Sequence, residues 1–76
     1  MVLPYMANRP GWVREGAVIE FMYQGRIYQA TIESHSYSFC IFKSIIDVEK
    51  NRPAFTIPSA IPYPAVQNPI VKELPE

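Results

Sequence analysis

One cysteine, one histidine and three glycines are all that the 76 residues contain of those types. A lone thiol, Cys40, cannot close an internal disulfide. With His35 as the sole imidazole, the chain cannot assemble a Cys/His zinc cage by itself. Gly11, Gly16 and Gly25 are isolated from one another, so no glycine-rich loop is present to cradle a phosphate. Charge is sparse and balanced, with seven Lys+Arg against seven Asp+Glu and a pI of about 6.6. That balance lacks the excess positive charge from which duplex binding draws its affinity. No apolar run approaches the roughly 18 to 20 residues of a membrane-spanning helix. Met1 to Ala7 is too short for a signal-peptide apolar region and lacks a basic start. Val2 in place of glycine excludes myristoylation, and Leu-Pro-Glu at the end carries no prenylation cysteine. These absences predict a chain with no cofactor, no metal and no membrane attachment, cytoplasmic or built into a virion.

What is present is apolar and rich in proline. Hydrophobic residues make up 49% and charged residues 18%, which excludes a wholly disordered chain. Eight prolines are about twice the average usage. Burying roughly 7,900 Å² on folding, somewhat over half of it apolar, contributes on the order of 110 kcal/mol. Ordering the chain costs about the same at roughly 1.5 kcal/mol per residue. A domain this finely balanced gains from a protein partner, a larger assembly or self-association.

Three stretches predict antiparallel strands. Ala17 to Tyr23 is rich in strand formers, Gln24-Gly25 suits a two-residue turn, and Arg26 to Ser34 returns. The implied register pairs Tyr23 with Arg26, Phe21 with Tyr28, Ile19 with Ala30 and Ala17 with Ile32 on an apolar face. Met22 with Ile27, Glu20 with Gln29 and Val18 with Thr31 form a mixed outer face. A slip of one residue would scramble that separation. Tyr37 to Phe42 reads as a third strand, and the predicted core is Ile19, Phe21, Tyr28, Ile32, Phe39 and Ile41. Ser44 with Asp47 three positions on suggests a capping box and one or two helical turns over 44–51, although Ile45, Ile46 and Val48 also suit a strand. Ala54 to Ile57 predicts a short edge strand. Arg9-Pro10-Gly11-Trp12 fits a type II turn.

The expected fold is therefore mainly β. It is a small SH3-like barrel or curved antiparallel sheet of four or five short strands, with one short helix as an option. Its expected parts are an irregular segment over 1–12, a barrel over 13–57 and an extended proline-rich arm over 58–76. The arm holds Pro58, Pro62, Pro64, Pro69 and Pro75, which suit a nearly straight chain. Unlike a polar linker it is apolar, with Ile61, Tyr63, Val66, Ile70, Val71 and Leu74. Proline lowers the entropy lost when such a segment docks.

No residue pattern supports catalysis. Cys40 and His35 read as about 16 Å apart along an extended strand, too far for a nucleophile and its base. Glu15, Glu20, Glu33, Asp47 and Glu49 are scattered and read as solvated surface charge. A nucleic-acid role would draw on Trp12, Tyr23, Tyr37 and Phe42 for stacking, and on Arg9, Arg14, Arg26, Lys43, Lys50 and Arg52 for charge. Up to Ile57 those six bases meet five acids, which weighs against it. The leading expectation is a non-enzymatic interaction module, a small accessory or structural subunit docked through its arm. Its partner-binding residues are Trp12, Tyr37, Ile61, Tyr63, Val66, Ile70, Val71 and Leu74. The alternatives are a regulator or inhibitor that uses the barrel face against a host enzyme, and a single-strand binder.

Overall fold

The computed structural model describes residues 10–75. The chain forms β1 (Val18–Tyr23), β2 (Arg26–His35), β3 (Phe39–Asp47), β4 (Arg52–Pro53), β5 (Ala60–Pro62), a 3-10 turn over Tyr63–Ala65, and β6 (Gln67–Glu73). All strand pairs are antiparallel. They make one unclosed sheet in the order β4-β3-β2-β1-β6, with β5 also on β3.

The β1–β2 hairpin has the register expected from its alternation, from Val18 opposite Thr31 to Tyr23 opposite Arg26. The Ile32 amide donates to the Ala17 carbonyl at 2.9 Å, which carries the pairing one step further. Gln24 and Gly25 both have positive φ, 50° and 82°, as a type I′ turn requires. Ile19, Phe21, Tyr28, Ala30 and Ile32 are buried together. At the other end Gly16, at φ 89°, turns the chain into β1. A Cβ built on it would lie 3.1 Å from Cβ of Pro75, so the approach to the sheet and the exit from it touch.

The third strand shows the opposite face from the one expected. Cys40 and Phe42 are buried, whereas Phe39 and Ile41 are only partly so. Register shifts between Gln29 and Thr31, and between Ile32 and Ser34, move the partners by one position. Phe42 then faces Ile32 and stacks on Phe21 at a centroid distance of 5.0 Å. A bulge costs a ladder bond locally and re-aims every side chain beyond it.

The helical turns expected over 44–51 are absent. The strand runs on through Ile45 and Ile46 to Asp47, and 48–51 is a turn. β-Branching decided the outcome, because these side chains lose χ1 freedom in a helix and pack well on a pleat. Asp47 is buried rather than a solvated surface charge. Its Oδ1 accepts the amides of Glu49 and Lys50 at 3.1 and 3.2 Å, and its Oδ2 lies 3.6 Å from the Arg26 guanidinium. The short strand expected at Ala54 to Ile57 is displaced to Arg52–Pro53. The expected turn at Arg9 begins outside the described residues. The observed one joins the Val13 amide to the Pro10 carbonyl at 3.1 Å, and Gly11 does not take the positive φ of a type II turn.

The segment over 58–76 is no separate arm. Through residue 73 it supplies β5, the 3-10 turn and β6 to the sheet, and Ile61, Tyr63 and Val66 belong to the core. The prolines do not prevent this. Pro62 ends β5, Pro64 stands at the start of the 3-10 turn where a missing amide costs nothing, and Pro69 lies in an edge strand. Ile61 lies beside Cys40 as its register partner, and both are fully buried. No helix among the described residues is long and apolar enough to cross a membrane.

Candidate functional site

The expected partner-binding residues fall into three groups. Ile61, Tyr63 and Val66 are buried and serve the fold. Trp12 is half-buried and meets the Tyr63 ring edge-on at 6.0 Å, with an interplanar angle of 88°. Tyr37, Ile70, Val71 and Leu74 are exposed.

Tyr37 stands at the tip of the β2–β3 loop with 63% of its surface exposed. The loop is tied down on both sides of it. The Tyr63 hydroxyl donates to the Ser36 carbonyl, and the Tyr63 amide donates to the Ser38 carbonyl at 3.1 Å. The Ser36 amide also donates to the Phe39 carbonyl at 2.9 Å. A tyrosine displayed on a constrained loop loses little freedom on contact.

β6 is an edge strand, and no residue of it is buried. Ile70 is 52% exposed and Leu74, just beyond the strand, 65%. Ile70 is paired with Glu20 and borders a small hollow of about 120 Å³ with Met22, Ile27 and Asn68. Lys72 Nζ lies 4.0 Å from Glu20 Oε1 on the same strand pair. Ile70 therefore stands on the outer face beside this ion pair, and Val71, opposite Ile19, on the other face. Pro69 and Lys72 on the strand are devices that discourage indiscriminate edge pairing.

His35 and Cys40 do come together, contrary to the separation expected from strand length. They are register partners across the β2–β3 hairpin, because the chain reverses at once over 36–38. The thiol is nevertheless fully buried, and burial pushes it from 9.0 up to about 11 against a smaller opposing effect from a Tyr63 hydrogen bond. At neutral pH only about one thiol in ten thousand would be ionised, and the thiolate is the nucleophile. Among the described residues no three of His, Cys, Asp and Glu gather where they could hold a metal ion.

The exposure of Phe55 was not legible in the sequence. Ascribing Ala54 to Ile57 to a strand hid it, yet the ring is 88% exposed. The signal was its bracketing by Pro53 and Pro58, which leaves too little chain for a paired strand. Phe55 lies on the rim of a cleft of about 460 Å³ together with Arg26, Asp47, Lys50 and Arg52.

No known protein family, curated protein or solved structure matches the chain.

Proposed function

We propose that this protein is a non-enzymatic protein-interaction module, a small accessory or structural subunit of a cytoplasmic complex or a virion, and that β6 is its contact surface. One observation carries the reading. A seven-residue strand buries none of its side chains while it and the next residue display Ile70, Val71 and Leu74. Exposed aliphatic surface on a strand edge is costly in water and is a standing template for another chain. The raised thiol of Cys40 supports a role without covalent chemistry. The strand order supports an SH3-like barrel: a three-stranded meander, short strands on β3, a 3-10 turn, and a last strand returning to β1. That fold hosts many functions and adds nothing to the assignment.

The test is native mass spectrometry of the chain purified gently from its source, beside an Ile70→Asp, Leu74→Asp double variant. A stoichiometric protein partner that is lost in the variant, with the fold retained by circular dichroism, is the expected result. A solitary chain, or a partner held equally by the variant, rejects the role given to β6. A second reading, a regulator that binds an enzyme through its loop end, is favoured by the clamped and exposed Tyr37. There Tyr37→Ala rather than Ile70→Asp would abolish the contact.

A further inference from the structure

The Phe55 ring is a ridge between two hollows. On one side is the cleft of about 460 Å³ bordered by Arg26, Lys50 and Arg52. On the other is a hollow of about 300 Å³ that includes Lys43. Four cations thus line the two hollows, and Asp47 is the one carboxylate among their lining residues. Asp47 is already committed to two backbone amides and Arg26. That carboxylate also positions the cations: it holds the turn that carries Lys50, and it is the register partner of Arg52. The ridge is held in place as well. Pro53 and Pro58 flank it, and the Ala54 amide donates to the Ile45 carbonyl at 2.9 Å.

From this juxtaposition we infer that the Phe55 ridge and its flanking cations bind single-stranded nucleic acid, a base stacking on Phe55 and backbone phosphates meeting Lys50, Arg52 and Lys43. Any base presents a π-face to a bare aromatic ring, and a strand crossing the ridge brings phosphates to both sides. An acidic peptide would use the cations but has no group that requires the ring. A duplex would need a broader basic face than a chain with zero net charge provides. The balanced total charge hid this local excess. The inference is independent of the β6 contact.

Fluorescence anisotropy with a labelled oligothymidylate of about twelve nucleotides tests it, since sites of this kind span about 4 to 16 nucleotides. Saturable binding is expected at about 50 mM salt, with a log–log salt slope near −2 for about three phosphate contacts. Phe55→Ala should weaken binding at least about fivefold and leave the slope unchanged, while Phe55→Trp retains affinity. A Lys50→Glu, Arg52→Glu double variant should weaken binding about tenfold or more and flatten the slope by about 1.4, the share of two contacts. All three changes are at exposed positions, and circular dichroism verifies the fold. The absence of saturable binding at low salt, indifference to Phe55→Ala, or equal competition by polyglutamate would each overturn the inference.

Discussion

The Tyr63 hydroxyl donates to the main-chain carbonyl of Ser36, a residue 27 positions earlier in the chain. One side chain from the C-terminal third thereby fixes the loop that displays Tyr37. Tyr63→Phe keeps the ring against Trp12 and removes that bond together with the hydroxyl's hydrogen bond to the Cys40 thiol. We expect a loss of about 1 to 2 kcal/mol, each kcal/mol lowering the melting temperature by roughly 4 to 8 °C in a domain this size. Faster amide exchange confined to 36–38 would confirm the local origin; unchanged exchange there would contradict it.

Burial of Cys40 predicts a pH window. Its thiol is raised from 9.0 to about 11, so the folded protein keeps a proton that the unfolded chain releases first. The unfolded state then binds fewer protons, and stability falls as pH rises from 9.0 to about 11, by at most about 1.4 kcal/mol per pH unit. Below that window the group contributes no pH dependence. Denaturant melts of wild type and Cys40→Ala across the window should diverge in slope. Alkylation with iodoacetamide at neutral pH should occur only on unfolding.

Asp47 joins two elements that local sequence would not join. Asp47→Ala removes the acceptor for two amides and the partner of Arg26. We expect about 1 to 2 kcal/mol of destabilisation, because two part-buried turn amides lose their acceptor while Arg26, more than half exposed, stays hydrated. Asp47→Asn retains one acceptor oxygen and should cost less. Equal losses for the two variants, measured by urea denaturation, would refute this account.

The tail contains two kinds of apolar residue. Ile61→Ala should cost about 2 to 5 kcal/mol, as for a fully buried aliphatic side chain. Ile70→Ala should cost well under about 1 kcal/mol, because its side chain is half in water. Truncation after Ile57 should unfold the domain, since it removes three core residues and the partner of β1. A folded truncation product would show that the tail is dispensable to the sheet.

Gln24 occupies the left-handed region at φ 50°, where asparagine is favoured over longer side chains. Gln24→Asn should stabilise the hairpin by about 0.5 to 1 kcal/mol, read as a rise in melting temperature with no change in far-ultraviolet circular dichroism. A fall in melting temperature would contradict the turn assignment.

Legibility in the sequence followed the range of the interactions. The β1–β2 hairpin could be read to the residue, because a two-residue turn and period-two alternation determine the pairing locally. Phe39 and Phe42 were exchanged between faces because the bulges that set their register arise from contacts across strands. Ser44 and Asp47 carried a helical capping signal that Ile45 and Ile46 overrode once β2 was available to pair with them. The stickiness of Ile61 and Tyr63 was legible, but the surface receiving it was the chain's own. Along β6 and just beyond it, the apolar content of Ile70, Val71 and Leu74 was visible, and their exposure was not. Phe55 was obscured by a misplaced strand, and the basic cleft by an average over all charges.

Val18 lies beside Glu73, so the ladder that borders β1 closes a loop of nearly the whole sheet. Such closure is entropically late and places the protein among slower-folding topologies. Until it happens, the outer flank of β1 is an unsatisfied row of amides and carbonyls next to Ile19 and Phe21. Crowded, newly made chains would compete for that flank with their own unfinished C-termini. Yield on refolding should therefore fall steeply with protein concentration, even though the finished molecule guards its margin with Pro69 and Lys72.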